Sequence, residues 1–102
     1  MIFDTITQFN IYHYSDDKSN KVWGYFCHAR IWYAFWGGAT QAMSFKQHGD
    51  WPYDLQRLAK AKEKKGYQAS TINAILELNP EWTNNFNDRF TWFKLLTSID
   101  MG

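Results

Sequence analysis

The run Ile31-Trp32-Tyr33-Ala34-Phe35-Trp36 places a large apolar or aromatic side chain at every position but Ala34, and no other segment constrains the fold as tightly. Aromatic and β-branched residues favour a strand, in which successive side chains point to opposite faces. Trp32, Ala34 and Trp36 then share one face, and Ile31, Tyr33 and Phe35 the other. A strand that is apolar on both faces is either covered on both sides or keeps an aromatic face for a ligand or partner. The preceding segment repeats the pattern, with Trp23, Tyr25 and Cys27 opposite Val22, Gly24 and Phe26. A later segment is one-sided: Met43 and Phe45 face one way while Ser44, Lys46 and His48 face the other.

Turn-forming residues punctuate these runs at Ser15-Asp16-Asp17-Lys18-Ser19-Asn20 and at Gly37-Gly38. Four strands are predicted, over about 10–14, 21–28, 30–36 and 42–48. Asp50-Trp51-Pro52 then reads as a helix start, with Asp50 as the cap and Pro52 in the first turn. That helix carries Leu55, Leu58, Ala59 and Lys62 on one stripe and stops at Gly66. From Ser70 a short helix bears Ile72, Ile75 and Leu76, and Asn79-Pro80 separates it from a last helix. There Trp82, Phe86, Phe90, Phe93 and Leu96 recur at three- and four-residue steps, a stripe that closes a core or docks on a partner. The expected fold is α+β: a four-stranded antiparallel sheet packed by one helix, then two C-terminal helices. At 102 residues, a single domain over 1–102 is expected, with a sheet core over 10–68 and a helical extension over 70–102.

Composition narrows the function. Hydrophobic residues make up 45% and charged residues 21%, enough apolar matter for a folded body, and the aromatic share of 20% is high. The formal net charge of +1 predicts no nucleic-acid or membrane partner by itself, so any such reading rests on local clusters. Cys27, the single cysteine, excludes an internal disulfide and reads as a small buried hydrophobe of a reducing compartment. MIFDTITQFN lacks the pattern of a secretory signal and no stretch nears ~18 apolar residues, which together point to the cytoplasm and away from a membrane. His13, His28 and His48 are scattered, so no metal site and no cofactor are expected. Cys27 and His28 point to opposite strand faces and form no nucleophile–base pair, and an enzyme is not expected.

The segment from Tyr12 to Gln68 resembles the WGR domain, the small module of poly(ADP-ribose) polymerases and of short bacterial and phage proteins. The likeness rests on Asp17-Lys18-Ser19-Asn20-Lys21 before Trp23, on Phe35-Trp36-Gly37-Gly38 at the signature, on Phe45, and on a basic helix ending Lys60-Ala61-Lys62-Glu63-Lys64-Lys65-Gly66-Tyr67. Gly38 stands where the family carries arginine, and the turn after it is shortened to Ala39-Thr40-Gln41. The resemblance implies a DNA-associated binding module in which Trp36 lies near the nucleic acid. A guanidinium that would suit phosphate is missing at position 38.

Two partner classes follow. In the first, Lys60, Lys62, Lys64 and Lys65, with Lys21 and Lys46, contact phosphate, and Trp36 contacts sugar or base. The same lysines also suit the negative pole of a helix end, and the strand aromatics Trp23, Trp32, Tyr33 and Trp36 also suit a core. In the second, the chain is a protein-interaction module, such as a phage-encoded factor or inhibitor that occupies a host protein. Trp82, Phe86, Phe90 and Phe93 then form the docking stripe, with self-association as a further outcome if they are exposed.

Overall fold

The computed structural model describes residues 5–101, with side chains described to residue 97. Residues 1–4 and 102, the ends of the expected domain and the first four residues of MIFDTITQFN, lie outside the described residues. The chain runs β1 (Thr7–Ser15), β2 (Asn20–His28), β3 (Ile31–Gly38), β4 (Ser44–Gly49), α1 (Tyr53–Lys64), β5 (Gln68–Ala69), α2 (Ile72–Leu78) and α3 (Trp82–Met101). The α+β class is as expected. All strands pair antiparallel in one sheet of order β4-β3-β2-β1-β5. The fifth strand corrects the expected four: Gln68 and Ala69 pair with His13 and Tyr12 on the outer edge of β1. Two residues are too short a span for side-chain alternation to announce.

The two-faced apolar pattern of β2 and β3 is satisfied by helices on both sides. Trp23, Tyr25, Cys27, Trp32 and Ala34 pack with Leu55 and Ala59 of α1. Val22, Phe26, Tyr33 and Phe35 pack on the opposite face with Ile75 of α2 and with Trp82, Phe86 and Phe90 of α3. That second face is a cluster of rings. Phe26 lies 5.0 Å from Phe90 and 5.4 Å from Phe86, while Phe45 lies 5.1 Å from Phe86 and 5.2 Å from Phe90. Edge-to-face and offset pairs of this kind add about 0.5–1.5 kcal/mol each beyond burial.

This packing settles the α3 stripe. Trp82, Phe86 and Phe90 are fully buried and close the core, while Phe93 is half-buried at its edge. The spacing put them on one face correctly, but the sheet had a second apolar face that needed covering. Leu96, on the same stripe, is 54% exposed because α3 runs on past the ring cluster. Leu58, expected on the buried stripe of α1, is likewise exposed, and only Leu55 and Ala59 of that helix are buried.

Asp50 does not cap α1. The helix begins at Tyr53, Pro52 holds the cap position without a side-chain hydrogen bond, and Asp50 lies two residues too early for its carboxylate to serve the first turn. The C-terminus behaves as read. Gly66, at φ +105°, lets its own N–H reach the Glu63 carbonyl (3.0 Å) and the Tyr67 N–H reach the Lys62 carbonyl (3.1 Å), a Schellman closure. Thr71 caps α2 by accepting from the Ala74 N–H at 3.1 Å.

Candidate functional site

With both sheet faces covered by the chain's own helices, a groove opens at one end of the sheet. It is lined by the β1–β2 loop, the last residues of β3 and the C-terminal end of α1, and it encloses about 420 Å³. Asp16 shapes the loop. Its carboxylate accepts the backbone N–H groups of Lys18 (2.8 Å) and Ser19 (2.6 Å) and the Tyr14 hydroxyl (2.8 Å). These bonds hold the Asp16 carboxyl below its usual range, the Tyr14 hydroxyl contributing most. Thus Asp16 is committed to the turn, and Lys18, Ser19 and Asn20 line the groove. Asn20 is also hydrogen-bonded to His13.

Across the groove, cross-strand pairing sets Trp36 opposite Trp23, Gly37 opposite Val22 and Gly38 opposite Lys21. Trp36 is 41% exposed, whereas Trp23, Trp32 and Tyr33 are buried. Gly37 is required by space: a Cβ there would lie 2.8 Å from Met43 Cε and 3.0 Å from the Ala42 carbonyl. At Gly38 a Cβ would meet only the flexible end of Gln41, whose Oε1 lies 2.9 Å away. Gln41 also lines the groove, beside Gly38.

The third wall comes from α1 and the residue that follows its glycine stop. Lys62 is half-buried, its Nζ 5.2 Å from the Tyr67 ring centre and 6.0 Å from that of Trp23. Burial pushes the Lys62 ammonium down from its ordinary pKa, and the charges of Lys65 and Lys21 push it the same way. Lys21 stands 5.9 Å over the Tyr14 ring, which packs on Tyr67 at 5.4 Å. A second hollow of about 300 Å³ continues from the first, sharing Ser19, Lys21, Lys62 and Tyr67 with it and adding Tyr14, Asp16 and Lys65.

The structure therefore brings together Lys21, Trp36, Lys62 and Lys65 from three separate elements. Lys46, Lys60 and Lys64 are exposed but do not line either hollow. Lys46 stands on β4 opposite Ala34, and Lys60 and Lys64 lie on other sides of α1. Lys18, Ser19, Asn20, Gln41 and Tyr67 were not proposed as site residues from the sequence, because only the closure of the hairpin against the end of α1 makes them neighbours. Among the described residues, no three His, Cys, Asp or Glu side chains gather as a metal site, and no helix is long and apolar enough to cross a membrane.

In comparisons with known proteins, no family model, no curated protein and no solved structure matches this chain.

Proposed function

We propose that the chain is a WGR-like, non-enzymatic module that binds nucleic acid in the groove at the end of its sheet. One observation carries the reading: Lys18, Lys21, Lys62 and Lys65 surround a groove that also holds the exposed ring of Trp36, while the one carboxylate that lines it among the described residues, Asp16, is engaged by its own loop. Such a site matches a chain of phosphates and flat bases better than a neutral or cationic ligand. Of the residues that carry the WGR likeness, Lys18, Ser19, Asn20, Lys21, Trp36, Gly37, Gly38, Lys62, Lys65 and Tyr67 line this groove, whereas Trp23, Phe35 and Phe45 belong to the cores. Loss of the signature arginine at Gly38 predicts modest affinity. Fluorescence anisotropy with labelled oligonucleotides at about 50 and about 200 mM salt tests the reading, since phosphate contacts make affinity fall with salt. Affinity that ignores salt, or no binding at the lower salt, counts against it.

A second reading, a protein-interaction module, draws on the outer part of α3, where Phe93 and Leu96 of the stripe meet the exposed Trp92. Trp92 is 58% exposed and Leu95 and Leu96 about half exposed, beside a hollow of about 410 Å³ lined by Met43, Phe45, Arg89 and Phe93. Light scattering across a concentration series checks whether this patch joins copies of the chain: a mass that grows with concentration in the parent and not in Trp92→Ser supports it, and a constant monomer mass removes self-association.

A further inference from the structure

The groove changes in character along its length while Ser19, Lys21, Lys62 and Tyr67 line it throughout. One end adds Trp36, the side-chain-free backbone of Gly37 and Gly38, and the polar groups of Asn20 and Gln41, with Lys18 beside them. The other adds Lys65, the Tyr14 ring and the Asp16 carboxylate, which its own loop engages. From this pairing we infer that the groove takes an unpaired nucleotide strand, with phosphates on Lys21, Lys62 and Lys65 and one base against Trp36, in preference to a duplex. The inference deepens the proposed function and rests on it.

The argument is one of access. Within a duplex each internal base is stacked on both faces and its pairing edge is occupied, so Trp36 finds no free ring face there and the polar groups beside it reach only groove edges. An unpaired base offers a free face for the ring and free edges for Ser19, Asn20 and Gln41. The glycine pair lets a flat group approach the backbone closely. Lys62 is half-buried between the rings of Tyr67 and Trp23, so a phosphate has to enter the groove to meet it. A single strand is thin and flexible enough to lay its backbone there, whereas the rigid double helix reaches the rim. Neither wall of the groove reads a 2′-hydroxyl in particular, so DNA and RNA strands share the chemistry.

The test compares three labelled probes: oligothymidylate and oligouridylate of about eight nucleotides, and a blunt duplex of about twelve base pairs with no unpaired nucleotides. The single strands are expected to bind at least about tenfold more tightly than the duplex. Log affinity is expected to fall with log salt at a slope of about −2 to −3, the value for three to four phosphate contacts on a single strand. Trp36→Ala is expected to weaken single-strand binding about 5- to 150-fold and leave duplex binding nearly unchanged. Lys21→Gln, at an exposed position whose ammonium stands over the Tyr14 ring, is expected to weaken both and reduce the slope by about 0.7 on the single strand. Arg30→Gln deletes a positive charge at the β2–β3 turn, the other end of the sheet, and is expected to leave affinity within twofold. Thermal melting of each variant separates lost contacts from lost folding. Duplex binding equal to or tighter than single-strand binding, with no effect of Trp36→Ala, overturns the inference and leaves the nucleic-acid reading standing. Failure of all three probes to bind at low salt overturns both.

Discussion

Gly24 is where the sheet and the ring cluster meet most tightly, and Gly24→Ala probes both. Gly24 lies on β2 between Ile11 of β1 and Phe35 of β3. A Cβ at this position would stand 2.2 Å from the Asn10 carbonyl oxygen and 2.4 Å from Phe35 Cζ. Non-bonded atoms sit comfortably at about 3.5–4.0 Å, so relief requires a shift of roughly 1 Å. Phe35 has nowhere to go: it is fully buried, with Phe86 at 5.2 Å, Phe9 at 5.3 Å and Trp82 at 6.0 Å. Overpacking of this sort costs about 1–3 kcal/mol, and a clash with backbone as well as a hemmed ring places it at the upper end. Replacing glycine by alanine returns about 0.4–1 kcal/mol by restricting the unfolded chain. The net expectation is a loss of about 2 kcal/mol, or a melting temperature about 8–16 °C lower for a chain of this size. In a Phe35→Leu background half of the clash is gone, so the same change is expected to cost about 1 kcal/mol less, a coupling that a double-mutant cycle measures by chemical denaturation. A Gly24→Ala protein that melts within about 2 °C of the parent would refute the register of β1, β2 and β3 described above.

The β2–β3 hairpin closes through Ala29 and Arg30 at φ 51° and 69°, a two-residue turn of positive dihedrals that favours Asn-Gly. The double change Ala29→Asn, Arg30→Gly is expected to stabilise the fold by about 1–2 kcal/mol, read as a rise in melting temperature; a fall contradicts the turn geometry. Burial, then the charge of Lys94, depresses the His28 pKa. For His48, burial is followed by Lys46, with Asp54 partly opposing. Both histidines therefore bind protons more readily unfolded, so their contribution is complete above the unfolded value near 6.5 and is lost as pH falls through the folded values. Melting temperature is expected to drop from pH 7.5 to pH 5, with a shallower slope in His28→Gln, and a flat profile in the parent rules this out. Gly38→Arg places a guanidinium in the groove at the cost of displacing Gln41, and is expected to strengthen oligonucleotide binding and steepen the single-strand salt slope by about 0.7. Unchanged affinity in a correctly melting protein argues against phosphate in this groove.

How far the sequence speaks depends on the length scale of the signal. The alternation in β2 and β3 assigned every side chain to the face it occupies, because period two is a property of the strand and needs no knowledge of its neighbours. The three- and four-residue spacing of Trp82, Phe86 and Phe90 likewise gave their common face. It did not say what that face meets, since a core and a docking surface have the same periodicity. Nor did local signals reveal β5, whose two residues exist as a strand only because β1 has an edge to pair with. The turn at Ala29-Arg30 carries none of the usual residues, so its geometry is imposed by the register of the strands on either side. Of the seven lysine and tryptophan positions proposed for nucleic acid, Lys21, Trp36, Lys62 and Lys65 border one groove, whereas Lys46, Lys60 and Lys64 do not. Clustering along the helix sequence and clustering in space are different things, because consecutive helical residues point to different sides.

The coverage of both sheet faces also decides which kind of binding surface is available. Trp23, Trp32 and Tyr33 are spent on the core, so a broad platform of sheet aromatics, the arrangement that would stack several successive bases, does not exist here. What remains is the end of the sheet, where strands stop, loops begin and helix α1 delivers Lys62 and, past its glycine stop, Tyr67. Trp36 is exposed for the same reason: it sits on the face that α1 covers, but where Leu55 and Ala59 no longer reach over it. If the groove is the nucleic-acid site proposed above, its single exposed tryptophan and few cations would take only a small stretch of ligand, with affinity weakened by salt. Affinity in a longer complex must then come from repetition along the strand or from a second contact such as the exposed Lys46, Lys60 and Lys64, whose loss should lower affinity evenly across ligands without changing which ligand is preferred.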